Sequence, residues 1–194
     1  AAAKRNFAAK SAIDAAMLDA LGRSLGLSAA VLLGGPVRTR FSVIWALASG
    51  DAGQETEEAQ QKIAAREFNR FKVKLGFADA ATDMARLTRL RKALPARSEI
   101  IADVNQAWDE ADAIRWLPAL ADLGVSLIEQ PLPAGREAAM ARLAAKSSIP
   151  LMLDEGVFTG AEAFDGLARG AGSVLSHKLC KHGSAHNLKR IAGV

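Results

Sequence analysis

Apolar residues recur with a helical period between about residue 7 and residue 35. Ala12, Ala15, Ala16, Leu18, Leu21 and Leu25 fall among small and polar positions, and Gly34-Gly35-Pro36 breaks the pattern. Beyond that point the texture changes. Short apolar or β-branched runs alternate with longer amphipathic stretches, each pair taking about 25 residues. The runs predict strands near 41–48, 71–75, 99–103, 125–129, 150–154 and 173–178. Helices are predicted near 54–67, 79–93, 109–122, 135–146 and 160–169, with a sixth beginning near 184. Repeated strand-then-helix units imply parallel strands joined by right-handed crossovers. Two architectures satisfy that pattern, an open doubly wound sheet and a (β/α)₈ barrel. The first strand-to-helix turns lack a glycine-rich phosphate fingerprint, which weakens the dinucleotide-binding version of the open sheet and favours the barrel. The 194 residues are few for a complete barrel, which takes roughly 250.

Composition narrows the partners more than the fold. Hydrophobic residues make up 50% and charged residues 24%, as in an ordinary globular domain. The net charge of +4 is spread over lysines and arginines interleaved with acids. There is no basic tract and no aromatic interleaving, so a nucleic-acid face is not expected; a small anionic substrate suits the charge better. A single cysteine, Cys180, excludes an internal disulfide and fits a reducing cytoplasm. No apolar run approaches 18 residues, so no spanning helix is expected. Ala1-Ala2-Ala3-Lys4-Arg5 reads as the middle of a helix, and the chain stops within another helical pattern at Arg190–Val194. Both ends look cut from a longer protein.

The chemistry lies at the ends of the predicted strands. Strand two ends in Phe71-Lys72-Val73-Lys74, strand three in Asp103-Val104-Asn105, strand four in Glu129-Gln130-Pro131, strand five in Asp154-Glu155 and strand six in His177-Lys178. From Lys74 to Asp103, Glu129, Asp154 and Lys178 the steps are 29, 26, 25 and 24 residues, close to one repeat each. In a barrel, catalytic groups gather at the carboxyl ends of the strands. Lys72 and Lys74 alternate along one strand and therefore share a face. Each acid taken alone is more often a helix cap or a solvated loop residue, and the lysine pair alone could lie on an exposed edge strand. Five ionisable strand ends in register are much harder to explain that way. Three adjacent carboxylates repel unless a cation neutralises them, and an oxygen-only set favours Mg²⁺ or Mn²⁺ over zinc. A lysine beside such a cation is pushed toward its neutral, proton-accepting form, which serves proton transfer at a carbon next to a carboxylate. A lysine base working with Mg²⁺ is a known combination in the enolase superfamily.

These residues resemble the muconate-lactonising subgroup of the enolase superfamily: Lys72-x-Lys74, Asp103-Val104-Asn105, Glu129-Gln130-Pro131, Asp154-Glu155 and Lys178. The stretches Trp45–Asp51 and Asp103–Glu110, the latter containing Trp108, are similar to muconate and chloromuconate cycloisomerases. Ala12 to Gly35 is similar to the last helices of that family's α+β capping domain. The resemblance implies capping-domain helices over residues 1–36 and strands one to six of a TIM-type (β/α) barrel over 37–194. It places the first capping segment, strands seven and eight, and an acid on the eighth outside this chain. It also implies metal-dependent lactonisation of cis,cis-muconate, or a substituted muconate, through an enolate.

By the same resemblance, Asp103, Glu129 and Asp154 would bind Mn²⁺ or Mg²⁺. Lys74 would be the acid/base lysine, with Lys72 beside it lowering its pKa and helping to bind a carboxylate. Lys178 would act from the opposite face of a small dicarboxylate, and Asn105 and Gln130 would support the ligands. A homo-octamer is implied in the same way. The sequence departs from the pattern at Gly156, where serine is frequent, and around Lys178, where His177 precedes it and no glycine pair follows. His177 reads as a structural residue, His182 and His186 as loop or surface residues, and Cys180 as an apolar filler. Lys181 is a weaker candidate base than Lys178. The same site also serves N-acylamino acid racemases, dipeptide epimerases and o-succinylbenzoate synthases, and a barrel kept only for assembly is a third reading.

Overall fold

The computed structural model of the protein describes residues 4–194. In chain order the elements are α1 (Phe7–Leu25), α2 (Ala29–Leu32), β1 (Trp45–Leu47), α3 (Ala52–Ala64), β2 (Arg70–Lys74), α4 (Ala80–Ala93) and β3 (Glu99–Asp103). They continue with α5 (Glu110–Asp122), β4 (Val125–Glu129), α6 (Glu137–Lys146), β5 (Leu151–Leu153), α7 (Gly160–Ala168), β6 (Val174–Leu175), α8 (Leu179–His182) and α9 (Ala185–Ile191). The strands form one sheet in sequence order from β1 to β6, and the registered pairs from β1 to β5 are parallel. This is the repeated α/β unit that the hydrophobic pattern predicts.

The chain divides into two compact units. The larger comprises Ser42–Gly156 and Gly166–Val174 and contains β1 to β5 with α3 to α6. The burial alternation in β2 shows how it is built. Phe71 and Val73 are fully buried on one face of the strand, while Arg70, Lys72 and Lys74 share the other. Ile100, Leu87, Leu90, Ala59 and Leu120 complete the buried layer, so burial of aliphatic surface holds the helices on the sheet. The helices start where short polar side chains cap them. Asp51, Asp79 and Asp109 each stand one residue before a helix and accept hydrogen bonds from its first free amides. These caps convert each strand end into a short loop with a fixed exit.

The smaller unit comprises the chain up to Phe41 together with Val157–Asp165 and Leu175–Val194. Within it Phe7 packs on Phe158 with ring centres 5.7 Å apart, Asp14 accepts the Ala185 amide at 2.9 Å, and Lys189 reaches the Leu33 carbonyl at 2.7 Å.

Several predicted boundaries move. The helical period over 7–35 is two helices. Gly26 is left-handed at the end of α1, the Leu27 amide bonds back to the Gly22 carbonyl, and Ser28 then caps α2. β1 is far shorter than 41–48, because Phe41, Val43 and Ile44 are exposed and lie outside any strand. β6 ends at Leu175 rather than 178: the Lys178 carbonyl accepts the amides of Lys181 and His182, which makes a helical turn of the segment expected to be strand. Lys4 and Arg5 are bends, not helix, and the helix expected at Ala1–Ala3 lies outside the described residues. No helix among the described residues is long and apolar enough to cross a membrane.

Candidate active site

The register of the sheet turns the sequence spacing into geometry. Lys74 is the cross-strand partner of Asp103, Asp103 of Glu129, and Glu129 of Met152. One row across four strands thus carries a lysine and two acids on the same face. Lys72 lies two residues back on that face. Past the strand ends the ladder continues, with the Val104 amide on the Glu129 carbonyl, Gln106 on Gln130, and Gln130 on Met152. Asn105, Gln106 and Gln130 have left-handed backbone at φ 48°, 68° and 35°. Strain of that kind concentrates where the surrounding structure fixes a functional geometry.

The side chains converge. Lys74 Nζ donates to Asp103 Oδ2 at 2.7 Å and to Asn105 Oδ1 at 2.9 Å. Lys72 Nζ stands 3.6 Å from Asp103 Oδ2 and forms a closer ion pair with Glu129 Oε2. Asp103, Glu129 and Asp154 are all essentially removed from solvent. Burial pushes the Glu129 carboxyl above the usual carboxylate range, and the negative charges of Asp103 and Asp154 add to that push; Lys72 opposes it. Glu129 Oε1 has no hydrogen-bond partner among the described residues. Side by side, these facts describe a buried acidic cluster in which Glu129 feels the negative charge of two neighbouring acids. As the side chains stand, no three Asp, Glu, His or Cys groups among the described residues converge closely enough to hold an ion. An ammonium group lies against two of the acids.

Gln130 and Asn105 hold this cluster together. Gln130, itself buried, accepts the Asp154 amide at 2.8 Å and the Gly156 amide at 3.4 Å, and donates to the Leu132 carbonyl at 2.9 Å. It fixes the loop that carries Asp154. Asn105 links Lys74 to Glu155, donating to Glu155 Oε1 at 3.2 Å. Glu155 carries no site signal of its own in the sequence. Its place directly after Asp154 was the available signal.

Lys178 belongs to the smaller unit, where it is exposed and directly precedes α8. Around it several expectations change. His182 is buried rather than on the surface, with Nδ1 3.1 Å from the Phe158 carbonyl oxygen and Nε2 3.3 Å from His177 Nδ1. Burial holds His177 below the usual histidine range, and the charges of His182 and Lys181 lower it further. Lys181 is also buried and donates to the Ser176 carbonyl at 2.7 Å, a structural role. Cys180 is exposed and is not a core filler, because the four-residue turn of α8 aims Lys181 and His182 inward instead. His186 is exposed, as the pattern implies.

A third element of the larger unit escaped the sequence altogether. Arg86 of α4 is buried between Glu55 of α3 and Asp83 of α4 and donates to both. It also donates to the backbone carbonyl of Lys74.

The family model for enolase C-terminal domain-like proteins matches residues 54–194. A chloromuconate cycloisomerase of Cupriavidus pinatubonensis is 43% identical over 190 residues, covering 97% of this chain and 51% of that protein. Muconate cycloisomerase 1 of Pseudomonas putida is 39% identical over 99% of this chain and 51% of its own length. A solved muconate lactonizing enzyme from Pseudomonas fluorescens, complexed with muconolactone, superposes with a TM-score of 0.95 at 41% identity, over 98% of this chain and 52% of that one. The chain spans about half the length of the curated relatives it matches.

Proposed function

The chain belongs to the enolase C-terminal domain-like family, and from that premise we propose that the full-length protein is a metal-dependent cycloisomerase that lactonises cis,cis-muconate or a substituted muconate. The observation that carries the reading is the row Lys74–Asp103–Glu129 on one face of the sheet, with Lys72 beside it. The names of relatives at 39–43% identity support the substrate class.

Asp103, Glu129 and Asp154 are the residues proposed to hold Mg²⁺ or Mn²⁺. Their chemistry fits a hard divalent ion. The donors are oxygens only, one carboxylate oxygen is buried without a hydrogen-bond partner, and burial beside two like charges disfavours the ionised form of Glu129. When bound, such an ion would stabilise negative charge developing on a substrate carboxylate.

The chain's own residues account for the rest. One carboxylate oxygen of the substrate forms a C–O bond to an alkene carbon of the same molecule, and the displaced electron pair passes to the neighbouring carbon. That carbon takes a proton from the Lys74 ammonium, leaving a neutral amine that solvent re-protonates, so the reaction is a net isomerisation. Asp103 and Asn105, which both accept from Lys74, orient the proton donor. Lys72 favours a bound carboxylate by its charge. Gln130 and Asn105 keep the acid-bearing loops in place. Lys178, on its sequence position after β6 and the family resemblance, is the second acid/base lysine.

Residues 1–36 are proposed to be the last helices of a capping domain, and the protein a cytoplasmic homo-oligomer, an octamer by the family resemblance. The test is an assay of full-length protein with Mn²⁺ against cis,cis-muconate and against an Ala-Glu dipeptide. Loss of muconate absorbance with the dipeptide left unchanged is the expected result. Background turnover of muconate would overturn the reading, and epimerisation of the dipeptide would install a racemase-type activity in its place.

A further inference from the structure

Lys74 is the last residue of β2, and its side chain is only as well placed as the backbone that carries it. The ladder pairs Lys74 with Asp103 of β3, and the peptide that follows Lys74 is held there by its N–H, the Leu75 amide, on the Asp103 carbonyl at 2.7 Å. Its carbonyl is bound differently, by the guanidinium of Arg86 from the following helix. Arg86 is in turn fixed from both sides. Its Nη1 donates to Glu55 Oε2, and its Nη2 lies 3.3 Å from Asp83 Oδ1.

The second oxygen of each acid reaches a loop at the carboxyl end of a strand. Glu55 Oε1 accepts the Gly50 amide at 3.1 Å, in the turn after β1, and Asp83 Oδ2 accepts the Gly76 amide, in the turn after β2. Gly50 and Gly76 are both left-handed, at φ 76° and 88°. The Phe77 ring closes over the set, with Arg86 Cζ 5.5 Å from its centre. Three charged side chains therefore bind one carbonyl and two loop amides, all within one unit.

Stability is a poor reason for such an arrangement. A buried charge triad gains little over well-packed apolar residues of the same volume, because desolvation offsets the attraction between the charges. What the triad supplies is a single geometry. The planar fork of Arg86 spans an acid and a strand-end carbonyl together, which a lysine cannot reproduce.

We propose that the buried Glu55–Arg86–Asp83 triad is a positioning device for Lys74, aligning the proton-donating amine through its own carbonyl and through the Gly50 and Gly76 turns. The assignment of Lys74 as acid/base rests on the function proposed above. The placement of Lys74 by the triad can be measured without that assignment.

The experiment uses full-length protein carrying Arg86→Lys, with Glu55→Gln and Asp83→Asn as near-isosteric alternatives should the first not fold. Two quantities are read on samples whose melting curves show them folded. In muconate turnover, kcat falls by about 100-fold, as expected when a reacting group is displaced by roughly 1 Å. KM stays within about three-fold, because the loss is confined to the transition state. In peptide mass spectrometry after a short exposure to a small amine-reactive reagent, the labelling rate of Lys74 changes several-fold while that of the exposed Lys146 does not. Wild-type kcat together with wild-type Lys74 labelling in a folded variant overturns the proposal, as does a loss of kcat that only tracks the folded fraction. If the wild-type protein does not turn over muconate, the functional reading has failed by itself. The labelling then decides alone, and an unchanged Lys74 rate overturns the positioning role.

Discussion

Strands β2 and β3 carry a cation facing an anion at both of their ends, in the same register, and the two pairs behave in opposite ways. At the amino end Arg70 faces Glu99, with Nε and Nη2 at 2.6 and 3.1 Å from the two carboxylate oxygens and Ser126 donating to Glu99 as well. The Arg70 hydrogen bonds hold Glu99 below the usual carboxylate range, and Glu99 holds Arg70 up. At the carboxyl end Lys74 faces Asp103, but Glu129 and Asp154 crowd in beside it and Glu129 is pushed the other way. At the amino end one cation meets one anion; at the carboxyl end two lysines meet a group of buried acids. A closed pair serves stability, and a buried carboxylate pushed upward at the carboxyl end of a strand is a candidate for function.

That contrast can be broken at its strongest point. Replacing Lys74 with alanine should lower kcat by about 10³-fold or more, since it removes the proposed proton donor. Divalent-metal binding should persist, and the loss should be read on samples whose melting curves show them folded. Solvent deuterium entering the product at an undiminished rate, followed by NMR, would show that another group supplies the proton.

Glu129→Gln sharpens the comparison from the acid side. Activity should drop beyond the about 100-fold that loss of a supporting partner around a metal costs. The folded state of the metal-free wild type holds the Glu129 proton more tightly than the unfolded chain does. Stability therefore declines as pH rises from the ordinary glutamate value, near 4.3, through the raised folded value. Glutamine removes that decline. Thermal unfolding across pH 4 to 8 should show it, and added Mn²⁺ should raise the melting temperature of wild type but not of the variant. Equal Mn²⁺ protection of both would refute Glu129 as a ligand.

The smallest effect belongs to the amino end. Glu99→Gln should cost no more than about 1 kcal/mol, the pair being about a third exposed and screened, with kcat unchanged. Here the folded value is lowered, so the contribution is complete above the ordinary glutamate value and is lost as pH falls through the folded one. Urea melts of both proteins should differ at pH 7 and converge in acid. A change in kcat would mean that the two ends of the strands are coupled.

The contrast was only half legible in the sequence. Lys72, Lys74, Asp103, Glu129 and Asp154 could be read because they recur at nearly one strand–helix repeat, and because period two fixes which face a strand residue occupies. Glu55, Asp83 and Arg86 could not. They sit in amphipathic helices where charge usually means solvent, and only the packing of α3 and α4 brings them together. His182 departs from the sequence pattern for a related reason: a single helical turn redirects a segment whose composition is that of an exposed loop. Lengths failed where apolar sequence was present without a strand to include it, as at Phe41–Ile44.

Gly76 limits how the loops at this end of the sheet can change. A Cβ built there would fall 2.6 Å from the Ala107 methyl and 3.0 Å from the Val104 carbonyl oxygen. The turn after β2 and the loop after β3 are pressed together at that point, so neither can lengthen or gain bulk unless the other yields. New specificity is therefore easier to acquire from other loops around the rim, and a library that diversifies residues 75–78 while leaving 104–107 fixed should return mostly misfolded members.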